Sequence, residues 1–403
     1  MKRIAPLPLF LAFLVLSACS FLPRRAEEIR GAVWVTRWDY GTESDVRTII
    51  RNAARAGFDT VLFQVRGNGT VFYRSKIEPW AEEFGFKDPG FDPLATACDE
   101  GRKQGVAVQA WVNAVPGWRG DRPPMKDGRP FTRQLWYRRP SWFCMDEKGR
   151  RQSLKKDYYV ALNPCLPEVR NYIASICEEI ALRYPVNGIH LDYIRFLEPE
   201  KDAEGRTRDY PRDPVTLSIY KRETGKTPDE DPEAWAAWKT AQVTELVREI
   251  RRRVRRASRR CLLTAAVVRT PERALSKVNQ DWPTWIREGY LDAVFPMQYD
   301  RDDARFKERV ASCLEAAAGR PVIMGIGTYL HTDPEQTLRQ IRIAHELGCQ
   351  GVALFAYTSF YPGAQTNRRG RPDPAGPRDA SLRIKRRVRI LPALQSKGTG
   401  SPR

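Results

Sequence analysis

The stretch Gly188-Ile189-His190-Leu191-Asp192-Tyr193-Ile194-Arg195-Phe196 is typical of a short buried β-strand that ends in an acid. Side chains on a strand alternate between two faces, so His190 and Asp192 share one face while Ile189, Leu191 and Tyr193 take the other. A parallel strand between helices is normally apolar on both faces. The polar pair indicates either an active-site carboxylate at the carboxyl end of a barrel strand or a buried, hydrogen-bonded Asp that closes a turn. We expect the former.

Seven further strand-like segments occur along the chain, separated by segments with helical periodicity. Helix starts are marked by capping residues at Thr42, Asp92, Asn163 and Asp333, and several helix ends are followed by glycine. The sequence therefore predicts an α/β fold, a (β/α)8 TIM barrel built from eight consecutive βα units. The predicted strands are 32–36, 60–66, 106–113, 188–193, 262–269, 291–298, 322–327 and 351–357.

Three connections are much longer than a βα unit needs: 67–90, 114–162 and 197–233. Each follows a strand and precedes a helix, so these long insertions after strands 2, 3 and 4 should surround the carboxyl-terminal mouth of the barrel. Such walls suit a cleft that binds a polymer. The third loop also carries Trp118, Trp136, Tyr137 and Trp142, which either add to the cleft or pin the loop to the barrel.

Most of the predicted strands end in a polar or aromatic residue. Thr36 on the first strand and Arg269 on the fifth are two examples. Aromatic rings stack on the apolar faces of sugars, while amides, arginines and carboxylates bind hydroxyl groups. Together these residue types predict a sugar site. The expected substrate-binding residues are Trp34, Gln64, Arg66, Trp111, Asn113, His190, Tyr193, Arg195, Gln298, Tyr329 and Tyr357.

An ordered series of motifs runs along this chain: Arg30 to Thr36, Phe63 to Gly69, Ala110 to Asn113, Asn163-Pro164, Pro167 to Arg170, His190 to Phe196 and Gln280 to Trp282. Together these motifs resemble the bacterial glycosyl-hydrolase-like family ten, over about residues 29 to 360. The resemblance implies a TIM barrel that acts on glycans; some members are envelope lipoproteins that cut peptidoglycan strands stripped of their stem peptides. The fifth strand ends in Val268-Arg269-Thr270-Pro271, where the family often has a Ser-Pro-Phe-Gly-like end.

Glycoside hydrolysis normally uses two carboxyl groups, one as acid and one as nucleophile or base. We expect Asp192 to be the nucleophile or base and Asp300 the acid, with Glu272 and Asp281 as alternatives for the acid. Arg195 and Arg66 would keep Asp192 ionised or bind an acidic substituent. The predicted function is an envelope glycoside hydrolase. The alternatives are a catalytically inactive glycan-binding lipoprotein and a basic scaffold or lipid-surface protein.

The amino terminus is typical of a bacterial lipoprotein signal: Met1-Lys2-Arg3, an apolar run, and small residues before Cys19. We expect a signal peptide at 1–18, acylation of Cys19, and a linker at 19–28 before the barrel at 29–365. The alternative is ordinary signal cleavage with an incidental Cys19. By resemblance to Gram-negative lipoproteins, Ser20 in place of Asp favours a lipid-anchored protein on the periplasmic face of the outer membrane.

The remaining seven cysteines and three histidines have no metal-ligand spacing, and we expect neither metal nor other cofactor. Cys144 and Cys165 flank one long loop, where they would be exposed, and are predicted to form a disulfide in an oxidising compartment.

The net charge of +19 is concentrated in two places. One is 248–260, with eight arginines on a predicted amphipathic helix; the other is 366–403, predicted to be a basic, disordered tail, with a short eighth barrel helix as the alternative. Secretion argues against nucleic acid as a partner, so we expect none. We expect a polysaccharide substrate, a membrane contact through the lipid, and either an anionic envelope surface or only solvent against the basic segments.

Overall fold

The computed structural model describes residues 25–201, 204–205, 207–363 and 377–395. Eight parallel strands form a closed barrel in the order β1-β14-β13-β12-β11-β8-β3-β2, so the predicted TIM barrel is confirmed. The strands are β1 (Gly31–Val35), β2 (Thr60–Arg66), β3 (Ala107–Asn113), β4 (Pro116–Gly120), β5 (Met125–Lys126), β6 (Arg129–Pro130), β7 (Lys155–Ala161), β8 (Gly188–Asp192), β9 (Glu200–Lys201), β10 (Thr207–Arg208), β11 (Leu262–Val267), β12 (Ala293–Gln298), β13 (Ile323–Ile326) and β14 (Gly351–Leu354).

Helices cover the outside of the barrel, and Thr42, Asp92 and Asp333 cap their helices as expected. The predicted cap Asn163 is wrong, because the helix begins at Pro167 and its N-cap residue is Leu166, which makes no side-chain cap hydrogen bond. The Thr42 hydroxyl accepts a hydrogen bond from the Asp45 amide, and Asp92 accepts from the amides of Leu94 and Ala95. The helices are α1 (Glu43–Arg55), α2 (Pro93–Gln104), α3 (Leu135–Arg138), α4 (Pro167–Arg183), α5 (Pro214–Thr224), α6 (Pro232–Ala257), α7 (Pro271–Val278), α8 (Trp282–Arg287), α9 (Asp303–Ala317), α10 (Pro334–Glu346) and α11 (Pro377–Gln395).

The interior of the barrel is filled by a compact set of buried side chains. It includes Trp34, Leu62, Trp111, Phe295 and Ile323, which come from five different strands. A second, larger apolar cluster lies between the strands and the surrounding helices. Because the barrel is packed throughout, a ligand can enter only at its mouth, where the long loops lie.

The third long loop is folded rather than open. Its strands β4 and β7 pair antiparallel and bring 116–120 against 155–161. Trp118 is buried, Trp136 packs against Phe143 with ring centroids 5.4 Å apart, and Trp142 packs against Tyr172 at 5.1 Å. These tryptophans pin the loop to the barrel, which was one of the two alternatives.

Part of the carboxyl-terminal segment is helical, in contrast to the predicted disordered tail. Residues 377–395 form α11, which packs against α10 and buries Ile390 and Leu391. Arg386 is also buried and donates a 2.8 Å hydrogen bond to the carbonyl of His331. The apolar residues among the cations were sufficient for a docked helix, so disorder over all of 366–403 is wrong for this part. The rest of that segment, like the signal peptide and Cys19, lies outside the described residues.

Most of the arginines near the end of α6 form ion pairs with carboxylates of the same chain. Arg251 binds Asp292 with distances of 2.6 and 2.8 Å, and Arg253 and Arg256 both bind Glu178. These ion pairs favour the solvated-face alternative over a free cationic surface. In the described ranges no helix combines the length and apolar composition needed to cross a bilayer.

The predicted disulfide is wrong in this structure. Cys144 and Cys165 are both free, and both are buried in the core below the third loop. Burial raises the pKa of each thiol well above its usual range, which disfavours the thiolate that disulfide exchange requires. The sequence had suggested an exposed loop, whereas the loop folds over both residues.

Candidate active site

A cavity of about 270 Å³ opens at the carboxyl ends of the barrel strands. Its wall combines residues from strand ends with residues from the third long loop. Aromatic side chains dominate, and two carboxylates face the space. The lining residues are Trp34, Thr36, Trp38, Gln64, Trp111, Asn113, Arg119, Asp157, Tyr159, Asp192, Tyr193, Arg195, Ala266, Met297, Tyr299 and Phe355.

Asp192 is the buried carboxylate of this cavity and ends β8, as predicted. One of its oxygens accepts a 2.6 Å hydrogen bond from the Tyr193 amide. Burial raises the pKa of Asp192 above its usual value, while the charge of Arg195, the Tyr193 amide and the Trp111 indole act in the opposite direction. A carboxyl group held in this balance is suited to proton transfer or nucleophilic attack.

Tyr193 reaches the cavity because the strand alternation stops at Asp192. Its φ of 49° lies in the left-handed region, which turns the side chain away from the outer face on which simple alternation placed it. The Arg195 guanidinium stacks over the Tyr193 ring at 4.6 Å. Both residues therefore line the cavity beside Asp192, as the sequence predicted.

His190 lies one layer below the cavity and does not line it. The Trp34 indole donates a 3.1 Å hydrogen bond to His190 Nε2, and His190 Nδ1 lies 2.9 Å from the Thr264 hydroxyl. Burial lowers the pKa of His190 to about 3, so the ring is neutral. His190 supports Trp34 from below, which corrects its assignment as a substrate-binding residue.

The loop hairpin β4–β7 supplies residues that the sequence analysis missed. Arg119 forms a 2.6 Å ion pair with Asp157, and its guanidinium lies 5.0 Å from the ring centre of Trp38. Tyr159 lies two residues after Asp157 on the same strand and packs against Tyr193. The alternation of Asp157 and Tyr159 in β7 was the available signal, but only the fold reveals that this hairpin returns to the mouth.

Asp300 is not in this cavity, which corrects its assignment as the acid. It accepts hydrogen bonds from Arg305 and Arg309, at 2.6 to 2.7 Å. These arginines hold the pKa of Asp300 well below its usual range, so it cannot hold a proton for a leaving group. The alternatives Glu272 and Asp281 do not line the cavity either; Asp281 caps α8.

The sequence analysis assigned the wrong face of β12 to the barrel interior. Phe295 is packed inside the barrel, and Met297 and Tyr299 follow it into the cavity, so the even-numbered residues point outward. Gln298 consequently lies between strand and helix, where its amide contacts Cys313 of α9 at 3.5 Å. Tyr299 is the residue that reaches the site, and Gln298 does not.

Two other predicted residues also lie outside the cavity. A register shift between Gln64 and Arg66 turns Arg66 into the protein, where it binds Glu78 at 2.8 Å. Tyr357 lies beyond the end of β14 and accepts a hydrogen bond from Asn52 of α1.

The remaining predicted residues are at or near the site. Tyr329 is half exposed at the rim, against Tyr299 and Phe355. Trp34, Gln64, Trp111 and Asn113 line the cavity as predicted.

A sequence model described as glycosyl hydrolase-like 10 matches residues 28–331, which is most of the chain. The chain belongs to this family. Glycosyl hydrolase DigH of Escherichia coli (strain K12) is 34% identical over 148 residues, covering 34% of this chain and 31% of DigH. Glycosyl hydrolase YngK of Bacillus subtilis (strain 168) is 23% identical over 332 residues, covering 74% of this chain and 60% of YngK.

The chain therefore matches less than two thirds of the length of either relative. Among solved structures, the catalytic domain of β-amylase from Paenibacillus polymyxa superposes with a TM-score of 0.57 at 10% identity, covering 92% of this chain and 100% of that one. That likeness establishes the fold, a TIM barrel of the kind that glycoside hydrolases use.

Proposed function

We propose that this protein hydrolyses glycosidic bonds in a cell-wall glycan, with peptidoglycan strands free of stem peptides as the expected substrate. The observation that carries the proposal is the position of Asp192, a buried carboxyl group with a raised pKa at the base of an aromatic cavity. Membership of the glycosyl hydrolase-like 10 family supports the same chemistry. The rings of Trp38, Trp111 and Tyr299 offer stacking surfaces for sugars.

In this proposal Asp192 is the nucleophile or the base, because it is the buried carboxyl group at the end of β8 that lines the cavity and the charge of Arg195 favours its ionised form. Asp157 replaces Asp300 as the proposed acid, since it is the second carboxylate that lines the cavity. Arg195 stabilises the ionised form of Asp192. Asp157 is 50% exposed and pairs with Arg119, which favours a second candidate function, a glycan-binding protein without catalysis.

We further propose that the protein acts from a lipid anchor at Cys19, on the periplasmic face of the outer membrane. The support is the basic, apolar and small-residue pattern of 1–19 together with Ser20. An acylated amino terminus would bring the barrel to the wall, because two or more acyl chains are enough for stable anchoring.

The test compares wild type with Asp192→Asn on purified glycan strands, with and without stem peptides, by counting new reducing ends. Asp99→Asn is the matched control, because Asp99 is an exposed aspartate of α2. We expect wild type and Asp99→Asn to cut the peptide-free strands and Asp192→Asn to be at least 100-fold slower. Binding of the strands without cleavage by wild type would instead establish the non-catalytic alternative.

A further inference from the structure

A second cavity, of about 410 Å³, lies beside the candidate active site, and the side chain of Tyr299 belongs to the walls of both. Its charged lining consists of four arginines and one aspartate: Arg269, Arg301, Arg305, Arg309 and Asp300. We call this cavity the arginine subsite. A ligand that extends from the active site past Tyr299 would enter it.

The positive charge of the arginine subsite is not balanced by the protein. Asp300 accepts hydrogen bonds from both Arg305 and Arg309, so one carboxylate is shared by two guanidinium groups, and Arg305 has a longer ion pair of 3.9 Å with Asp302. Within the described part of the chain, the side chains of Arg269 and Arg301 make no ion pair. The cavity therefore presents two guanidinium groups without an ion pair, those of Arg269 and Arg301, and two more that share Asp300.

Arg269 is held in this position by its backbone. Its carbonyl oxygen accepts hydrogen bonds from the Gln298 amide and the Cys313 thiol, which fix the end of the strand beneath the cavity. The side chain is only partly exposed, and burial together with the charges of Arg309 and Arg273 lowers the pKa of its guanidinium. Crowded cations cost free energy unless an anion pairs with them, and arginine binds carboxylates and phosphates in a fork geometry.

We propose that the arginine subsite binds an oxyanion substituent, carboxylate or phosphate, on the sugar adjacent to the one in the active-site cavity. The inference rests on the proposed function and deepens it, because it makes the substrate an acidic glycan. Arg269 is the specificity residue in this proposal. Asp300 positions Arg305 and Arg309 around the bound anion.

The first experiment measures kcat/KM on a cell-wall glycan with free carboxylates and on the same glycan after its carboxylates are amidated. We expect wild type to prefer the acidic form and Arg269→Gln to lose roughly 10- to 100-fold of that preference, the usual effect of one charge-assisted hydrogen bond. Arg269→Lys should keep part of it. Arg255→Gln removes the same charge from an exposed position on α6 and should keep the full preference.

The proposal would be overturned if Arg269→Gln preferred the acidic glycan over the amidated glycan as strongly as wild type does. This includes the case in which the substitution lowers kcat/KM on both glycans by the same factor. The expected loss of preference should also shrink in high salt, because screening weakens the ion pair.

The second experiment separates this inference from the proposed function by measuring binding without turnover. The full-length Asp192→Asn variant is titrated with glucuronate, glucose 6-phosphate and glucose in a calorimeter, with and without Arg269→Gln. Tighter binding of an acidic sugar that is lost with Arg269→Gln supports the subsite even if wild type hydrolyses no glycan. Equal binding of all three sugars refutes it, and the tighter of the two acids identifies the oxyanion.

Discussion

The Trp34 indole donates a hydrogen bond of 3.1 Å to Nε2 of His190. An indole nitrogen can only donate, so Nε2 must be unprotonated and the ring proton must be on Nδ1. Nδ1 then donates to the Thr264 hydroxyl, which in turn donates to Gln109 at 2.7 Å. The direction of each bond is therefore fixed, and the chain of bonds holds the aromatic floor of the candidate active site in one orientation.

This arrangement predicts a pH effect on stability. The pKa of His190 is about 3 in the folded protein, against 6.5 for the free side chain, so only the unfolded state gains a proton as the pH falls between these values. Protonation of the unfolded state should thus lower the free energy of unfolding below pH 6.5, by about 1.4 kcal/mol per pH unit from this group. Urea unfolding of wild type and His190→Gln at about pH 7.5 and about pH 4.5 tests this effect. Between the two pH values, the unfolding free energy of the variant should fall by about 2–3 kcal/mol less than that of wild type.

Asp39 provides the internal control for that experiment, because its effect has the opposite sign. Burial raises the pKa of Asp39 from 3.8 to about 7, so the folded state holds a proton that the unfolded state releases. Asp39 therefore adds stability as the pH falls, and Asp39→Asn should show a steeper loss toward acid than wild type. An identical pH dependence in wild type and His190→Gln would contradict the assigned neutral ring.

Asp157 is predicted to act as the acid of the proposed reaction. Asp157→Asn should slow hydrolysis of unactivated glycan by about 100-fold, because the leaving oxygen then departs without a proton. A nitrophenyl glycoside, whose leaving group needs no protonation, should be cut by the variant at nearly the wild-type rate. Equal losses on both substrates would show that Asp157 only positions Arg119 or the sugar. Asn at the exposed Asp121 of the same loop is the matched control.

Strand alternation explains both the success and the failure of the predicted site. It placed Trp34, Gln64 and Trp111 correctly, because β1, β2 and β3 are regular up to those positions. It failed where the backbone departs from regularity, as at the register shift before Arg66. At β12 the strand is regular, but hydrophobic residues on both faces left the inward face undetermined from sequence.

The contribution of the third loop could not be derived in the same way. Caps, glycines and spacing define the barrel locally, so eight strands were found within a few residues of their observed bounds. The return of β7 to the mouth depends instead on pairing with β4 across a long intervening segment. That pairing brings Asp157 and Tyr159 to the site, and no local signal specifies its register.

Lipid anchoring is predicted to depend on Cys19. Cys19→Ala should remain unlabelled by radioactive palmitate and should move to the soluble fraction, whereas wild type should be labelled and pellet with membranes. Ala at Cys349, a buried cysteine of the barrel domain, is the control for loss of a thiol alone. An unlabelled Cys19→Ala protein that still pellets would point to the basic segments as the anchor.

The carboxyl-terminal helix α11 is predicted to be part of the folded barrel rather than an optional arm. Ile390 and Leu391 are buried in the apolar cluster between helices, and full burial of such a side chain stabilises by about 1.5–3 kcal/mol. Arg386 adds hydrogen bonds to the carbonyls of His331 and Ser359, two groups that truncation would leave buried without this donor. Deletion of 377–403 should therefore lower the unfolding free energy by several kcal/mol, as measured in urea.

A milder change separates packing from charge in the same helix. Leu391→Ala should destabilise by about 2–5 kcal/mol, because it leaves a cavity at a buried position. Arg389→Gln removes a cation from an exposed position and should have little effect. If the truncated protein retained wild-type stability, α11 would be an electrostatic arm after all. A loss of stability in both the truncation and Leu391→Ala, with Arg389→Gln unchanged, would establish that apolar burial fixes the helix to the barrel.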